Sequence, residues 1–242
     1  MKLIFIRHGD PDYSIDSLTE KGWKEAELLA EKMSKLKVDR CYVSPLGRAK
    51  DTAGCYLKKA KAEAKTLSWL QEFRPKVARP HNPEHLTVAW DWLPKDWANE
   101  DIFYDYNEWM NHPLMKEAGV PEEIKYVYEK FADLLKELGY EKKGRLFNAV
   151  KPNNDTIVFF CHFGITCVLL GYLLNISPMV LWHTTCSAPT SVTVVNTEER
   201  VRGMASFRMA SFGDVSHLYA AGEEPAFAAR FCECFDNYDE RH

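Results

Sequence analysis

Three short polar clusters stand where apolar runs of strand length give out. Arg7-His8-Gly9 follows Leu3 to Ile6, Ser44 to Arg48 follows Cys41 to Val43, and His162 follows Thr156 to Cys161. Guanidinium groups match phosphate oxygens bidentately, and imidazole can donate, accept or attack near neutral pH. A crevice that gathered two arginines and two histidines would suit a compact dianion, with phosphate as the natural occupant. Singly, each residue has a plainer reading. A lone histidine at a strand end is more often structural, and an arginine in the first turn of a helix is more often a solvated charge. The joint pattern carries the inference.

The elements between these clusters predict how they meet. Continuous apolar runs read as strands buried on both faces. Thr19 can cap a helix in which Trp23, Ala26, Ala30, Met33 and Leu36 recur at three- and four-residue steps. A second helix, beginning near Gly47, carries Arg48, Thr52 and Tyr56 on one side. Strand, helix, strand, helix predicts a parallel sheet covered on both faces, which places chemistry at the carboxyl ends of its strands. From Thr156 to Thr197 there is no Asp, Glu, Lys or Arg, a length at which a membrane span would be sought. Yet Gly164 to Leu174 spans only about 16 Å as a helix, and Ser177-Pro178 breaks it. The expectation is a buried strand, a buried helix and a further strand over Ser191 to Val195, with no membrane partner.

After Leu67-Ser68-Trp69-Leu70-Gln71-Glu72 the rhythm is lost. Residues 73–150 are expected as an inserted helical cap over the strand ends, with 1–72 and 151–242 forming the core. One helix is clear there: Pro121 opens it, Ile124, Val127, Tyr128, Phe131, Leu135 and Leu138 share a face, and Gly139 stops it. Arg74, Lys76 and Arg79 could read a second anionic group of a ligand. Trp90, Trp92, Trp97 and Trp109 could stack on a ring or form the insert's own core.

Composition narrows the partners. Lys and Arg total 31 against 35 Asp and Glu, a net charge of -4 over 242 residues, so no basic face is forced and no nucleic acid is expected. Seven cysteines without a regular framework, and an apolar run too short for a signal sequence, point to a cytoplasmic protein. His81-Asn82-Pro83-Glu84-His85 has the letters of a zinc peptidase motif, but Pro83 would break the helix that motif needs. Cys232-x-Cys234 lacks a second pair. Neither is expected to hold a metal.

Arg-His-Gly after an N-terminal strand, Ser-Pro-Leu-x-Arg-Ala-x-x-Thr-Ala about forty residues on, and His-x-Gly after a late apolar strand occur in that order. The combination resembles the histidine phosphatase superfamily, also called the phosphoglycerate mutase-like family, over about residues 1–72 and 151–217. The resemblance implies a three-layer α/β sandwich with a mostly parallel central sheet and an inserted helical cap. It implies a metal-independent, cofactor-free phosphatase of small phosphorylated metabolites, with a phosphoglycerate mutase-type phosphotransferase or an inactive phosphate-binding module as alternatives. His8 resembles the nucleophile that becomes phosphohistidine, and Arg7, Arg48 and a protonated His162 resemble the groups around the phosphoryl oxygens. Glu72 sits where the family supplies the proton donor, with Asp10 as second choice. Ser14 stands where many relatives carry Asn, and a phosphate contact is expected of it. His217 is expected to be structural.

Overall fold

The computed structural model describes residues 1–226 and 234–237. In chain order the elements are β1 (Lys2–Arg7), β2 (Pro11–Asp12), β3 (Ser17–Leu18), α1 (Glu20–Met33), β4 (Arg40–Val43), α2 (Gly47–Ala60) and β5 (Lys65–Thr66). There follow β6 (Lys76–Arg79), β7 (Asn82–Val88), α3 (Pro94–Trp97), α4 (Pro113–Glu117), α5 (Val120–Glu137), β8 (Tyr140–Lys143) and β9 (Leu146–Ala149). The chain ends with β10 (Thr156–Cys161), α6 (Phe163–Leu174), α7 (Pro178–Thr184), β11 (Val192–Val201), β12 (Met204–Asp214) and α8 (Ser216–Tyr219).

An eight-stranded sheet in the order β5-β4-β10-β1-β11-β12-β9-β8 is the middle layer. The half from β5 to β1 is parallel, and every later pairing is antiparallel. Six strands therefore run one way, and β11 and β9 run against them. Alternation along β1 builds both outer layers. Leu3 and Phe5 face a core shared with α5, α6 and the insert, while Ile4 and Ile6 face a second core under α1 and α2. Helix α6 is apolar all round because both sides are covered, and its residues Phe163 to Leu173 are all buried. Among the described residues no helix is long and apolar enough to cross a membrane.

Three expectations change. The sheet resumes at Tyr140 rather than Thr156, since β8 and β9 extend it beyond β12. Helix α5 covers the sheet rather than the strand ends, with Phe131 edge-on to Phe159 of β10 at 6.4 Å. Only the stretch from β6 through α4 is an excursion. Trp23 is 40% exposed, because the buried face of α1 is Gly22, Glu25, Ala26, Leu29, Ala30 and Met33. Glu25 is drawn inward by two amides, donated by Asp10 at 3.0 Å and Ala226 at 2.9 Å. Thr19 caps α1 as expected, accepting from the Gly22 amide at 3.0 Å.

Candidate active site

Parallel register sets the floor of the site. Arg7 of β1 is level with Cys161 of β10, and Phe160 with Val43 of β4. His8, His162 and Ser44 are thus the first residues beyond three adjacent strands. Their level is locked by the His8 amide donating to the Cys161 carbonyl at 3.0 Å and the Ser44 amide donating to that of Phe160 at 2.9 Å. Both imidazoles are buried, and their centroids are 5.1 Å apart.

His8 Nδ1 lies 2.7 Å from the carbonyl oxygen of Gly9. Only a protonated nitrogen can make that bond, so Nε2 carries the lone pair, and Arg48 Nε donates toward it at 3.3 Å. Gly9 is required by packing: a Cβ there would stand 2.7 Å from the carbonyl oxygen of Gly22 in α1. Its amide donates to Thr52 Oγ1 at 2.9 Å, and that hydroxyl donates to the Arg48 carbonyl at 2.8 Å. Helix α2 therefore positions both the histidine loop and Arg48. Burial holds His8 well below the ordinary imidazole pKa, with Arg7 and then Arg48 acting the same way against the Gly9 carbonyl. The imidazole is neutral.

Arg7 is buried, and its Nη1 donates to the Ser187 carbonyl at 2.5 Å. The loop carrying Ser187 is tied back by Thr190, whose amide donates to the His8 carbonyl at 3.1 Å. Thr190 takes a left-handed backbone, φ 57°, and its Oγ1 is 3.0 Å from Nε2 of His217. His217 thus reaches the site through Thr190. Arg48 is oriented by Asp16, which accepts from Nη1 at 2.6 Å and from the Gly47 amide at 2.7 Å. Tyr13 places its ring 5.3 Å from the Arg48 guanidinium carbon. Asp16, Tyr13 and Thr52 had no assigned site role from the sequence, because what marks them is contact across thirty or more residues.

His162 Nε2 is 2.7 Å from Ser44 Oγ. That oxygen also accepts the Leu46 amide at 3.3 Å, and either group can supply the proton shared between Oγ and Nε2. Among the described residues, buried Nδ1 has no hydrogen-bond partner. Burial, then His8, Arg48 and Arg7, hold this imidazole well below its ordinary pKa. These causes disfavour the protonated form of His162 expected from the sequence.

Glu72 is half-buried beside the start of α6. Its Oε1 accepts from the Phe73 amide at 2.9 Å and the Ile165 amide at 3.0 Å. Burial raises its pKa, opposed by these amides, by Arg7 and by the Gly164 amide.

Other expected residues lie differently. Ser14 is exposed and its hydroxyl donates to Asp12 Oδ1 at 2.5 Å, a local turn. Asp10 accepts from the Thr19 hydroxyl at 2.7 Å, which makes it a tether for α1. Arg74 pairs with Glu123 at 3.0 Å and Arg79 with Asp91. Trp92, Trp97 and Trp109 are core residues of the excursion, and Trp90 is half-buried. His81 pairs with Asp96, and Glu84 and His85 lie on β7 rather than a helix. Cys234 is exposed, and Cys232 lies outside the described residues.

Known proteins share this arrangement of chain. Phosphoserine phosphatase 1 of Hydrogenobacter thermophilus is 27% identical over 213 residues, covering 83% of this chain and 88% of that protein. The Entamoeba histolytica phosphoserine phosphatase, solved with 3-phosphoglyceric acid, superposes with a TM-score of 0.58 at 21% identity, over 90% of this chain and 98% of that one. A mycobacterial glucosyl-3-phosphoglycerate phosphatase, solved with VO3, gives 0.53 at 18% identity, over 88% and 98%. The family model of the histidine phosphatase superfamily (branch 1) matches residues 3–208, and with that match the chain belongs to the histidine phosphatase superfamily.

Proposed function

We propose that the protein, a phosphoric monoester hydrolase of this superfamily, transfers the phosphoryl group of a small monoester first to His8 and then to water. The observation that carries this reading is the bond from His8 Nδ1 to the Gly9 carbonyl, which leaves Nε2 as a buried neutral nucleophile beside Arg48. In the first step the Nε2–P bond forms as the ester P–O bond breaks, and the departing oxygen takes its proton from Glu72. In the second, Glu72 removes a proton from water, the water oxygen attacks phosphorus, and the P–Nε2 bond breaks to return His8 and inorganic phosphate.

Charge that spreads over the three equatorial oxygens meets Arg7, Arg48 and His162. Each such donor is worth about 3 kcal/mol by analogy with oxyanion donors. The two guanidinium groups do the charge work for which other phosphoryl-transfer sites use a metal ion. Raised by burial, Glu72 holds its proton further toward neutrality than an exposed carboxylate. Similar proteins named for phosphoserine and for a phosphoglycerate derivative support a small phosphorylated metabolite as the substrate class.

Rapid quenching with labelled substrate tests the covalent step. The wild-type protein is expected to carry acid-labile, base-stable phosphate, and the His8→Ala protein none. That variant should not hydrolyse p-nitrophenyl phosphate above background, and EDTA should leave wild-type turnover unchanged. Wild-type turnover in His8→Ala would overturn the mechanism.

A further inference from the structure

In-line transfer from ester oxygen to Nε2 puts the leaving group on the far side of phosphorus from His8, within hydrogen-bond reach of the proton donor. What surrounds Glu72 therefore decides which alcohol the ester can carry. Glu72 Oε1 and the indole of Trp90 share the space over Gly164: a Cβ on that glycine would stand 2.8 Å from Oε1 and 2.6 Å from Cη2 of Trp90. Trp90 is wedged there by Phe163, edge-on at 6.4 Å, and by Trp182 at 6.0 Å. It is half-buried, whereas Trp92, Trp97 and Trp109 have 5%, 6% and 0% of their surface exposed. Of these four, Trp90 is the one that lies over Gly164 with the Glu72 carboxyl and is only partly buried.

Tyr13 stands on the phosphate side. It is 69% exposed, and the Arg48 guanidinium lies over its ring. Three charged groups of the excursion turn to acidic partners instead, Arg74 to Glu123, Arg79 to Asp91 and His81 to Asp96, while Lys76 is exposed on β6. An alcohol bearing a carboxylate or a second phosphate would bring its charge against the indole and the Glu72 carboxyl, and would lose solvation. An aromatic or aliphatic alcohol would gain contact with the ring.

Building on the phosphohistidine reading, we propose that Trp90 and Tyr13 wall a leaving-group subsite for apolar, above all aromatic, alcohols, and that the preferred substrates are phosphomonoesters of such alcohols. The test compares kcat/KM for 2-phenylethyl phosphate, O-phosphoserine and 3-phosphoglycerate. All three are alkyl esters, so departure of the oxygen calls for comparable help. A preference of at least tenfold for the phenylethyl ester is expected. Trp90→Ala should bring the ratio toward one and Trp90→Phe should retain most of it. Because the wild-type ratio decides by itself, a variant that fails to fold does not rescue the idea. A ratio of one or less with p-nitrophenyl phosphate still turned over through His8 overturns the subsite and leaves the phosphohistidine step standing. A tenfold preference untouched by Trp90→Ala in a folded protein overturns the assignment to Trp90. Loss of all four activities in the wild-type protein overturns both readings.

Discussion

Replacing Glu72 by Gln separates proton transfer from geometry. Glu72 Oε1 accepts the amides of Phe73 at 2.9 Å and Ile165 at 3.0 Å. A glutamine carbonyl oxygen accepts the same two donors, so Glu72→Gln keeps the side chain in place and removes only its transferable proton. For an alkyl ester, whose oxygen departs as a strong base, the first step should slow by a factor of ~10²–10⁴, about 3–5 kcal/mol of barrier. For p-nitrophenyl phosphate the phenolate leaves unaided, and the same step should slow less than about tenfold. Steady-state rates mix in hydrolysis of the phosphoenzyme, where Glu72 acts as base. The assay is therefore a rapid-mixing burst of p-nitrophenolate set beside single-turnover release of 2-phenylethanol. A burst that survives, followed by a slowed steady state, is the expected signature. Equal losses on the two esters in the first step would show that Glu72 is not the acid.

The pH profile follows from the same groups. His8 is held below its ordinary pKa by burial and the arginines, so it stays neutral into the acid range, while Glu72 is raised by burial and stays protonated above the usual carboxylate range. For an alkyl ester, kcat/KM should be highest on the acid side of neutrality and fall as pH rises through the Glu72 pKa, and Glu72→Gln should lose that falling limb. A rate that climbs steadily into alkaline pH would contradict the assignment. Thr52→Val keeps shape but leaves the buried Gly9 amide without its acceptor. It should cost about 1–3 kcal/mol, lowering the melting temperature by roughly 2–4 °C per kcal/mol in a chain of this size. An unchanged melting temperature would refute the role given to that hydroxyl.

The parallel half of the sheet was legible because its strands are continuous apolar runs with one way to be buried. Thr156–Cys161 is both the expected and the observed extent of β10. The helix after it was legible for the same reason, since nothing in it can face water. The edge pair β8–β9 escaped notice: its residues are polar on one face, and only Phe147 and Ala149 of β9 are buried. Trp23 was misplaced because periodicity counts apolar letters, while the rotation of α1 is set by a buried carboxylate, Glu25, serving two amides. Around the site, His8, Arg7, Arg48 and His162 are found together because strand ends in register must converge. For Ser14 a local contact decides the placement of the hydroxyl, since an Asp two residues earlier accepts from it. Asp16 and Ser44 orient their partners from 32 and 118 residues away, a separation no window along the chain can register.

The division of the site between two kinds of chain has an evolutionary consequence. The cationic grip is mounted at the strand ends and on α2, whereas Trp90 stands on a segment that leaves the sheet after β5 and rejoins it only at Tyr140. Between the indole and the Glu72 carboxyl lies the single side-chain hydrogen of Gly164. Descendants of this chain can lengthen, trim or rebuild the outlying segment and so acquire new appetites for alcohols, while the nucleophile is inherited untouched. A side chain appearing at position 164 would close that route, since it would part the indole from the acid.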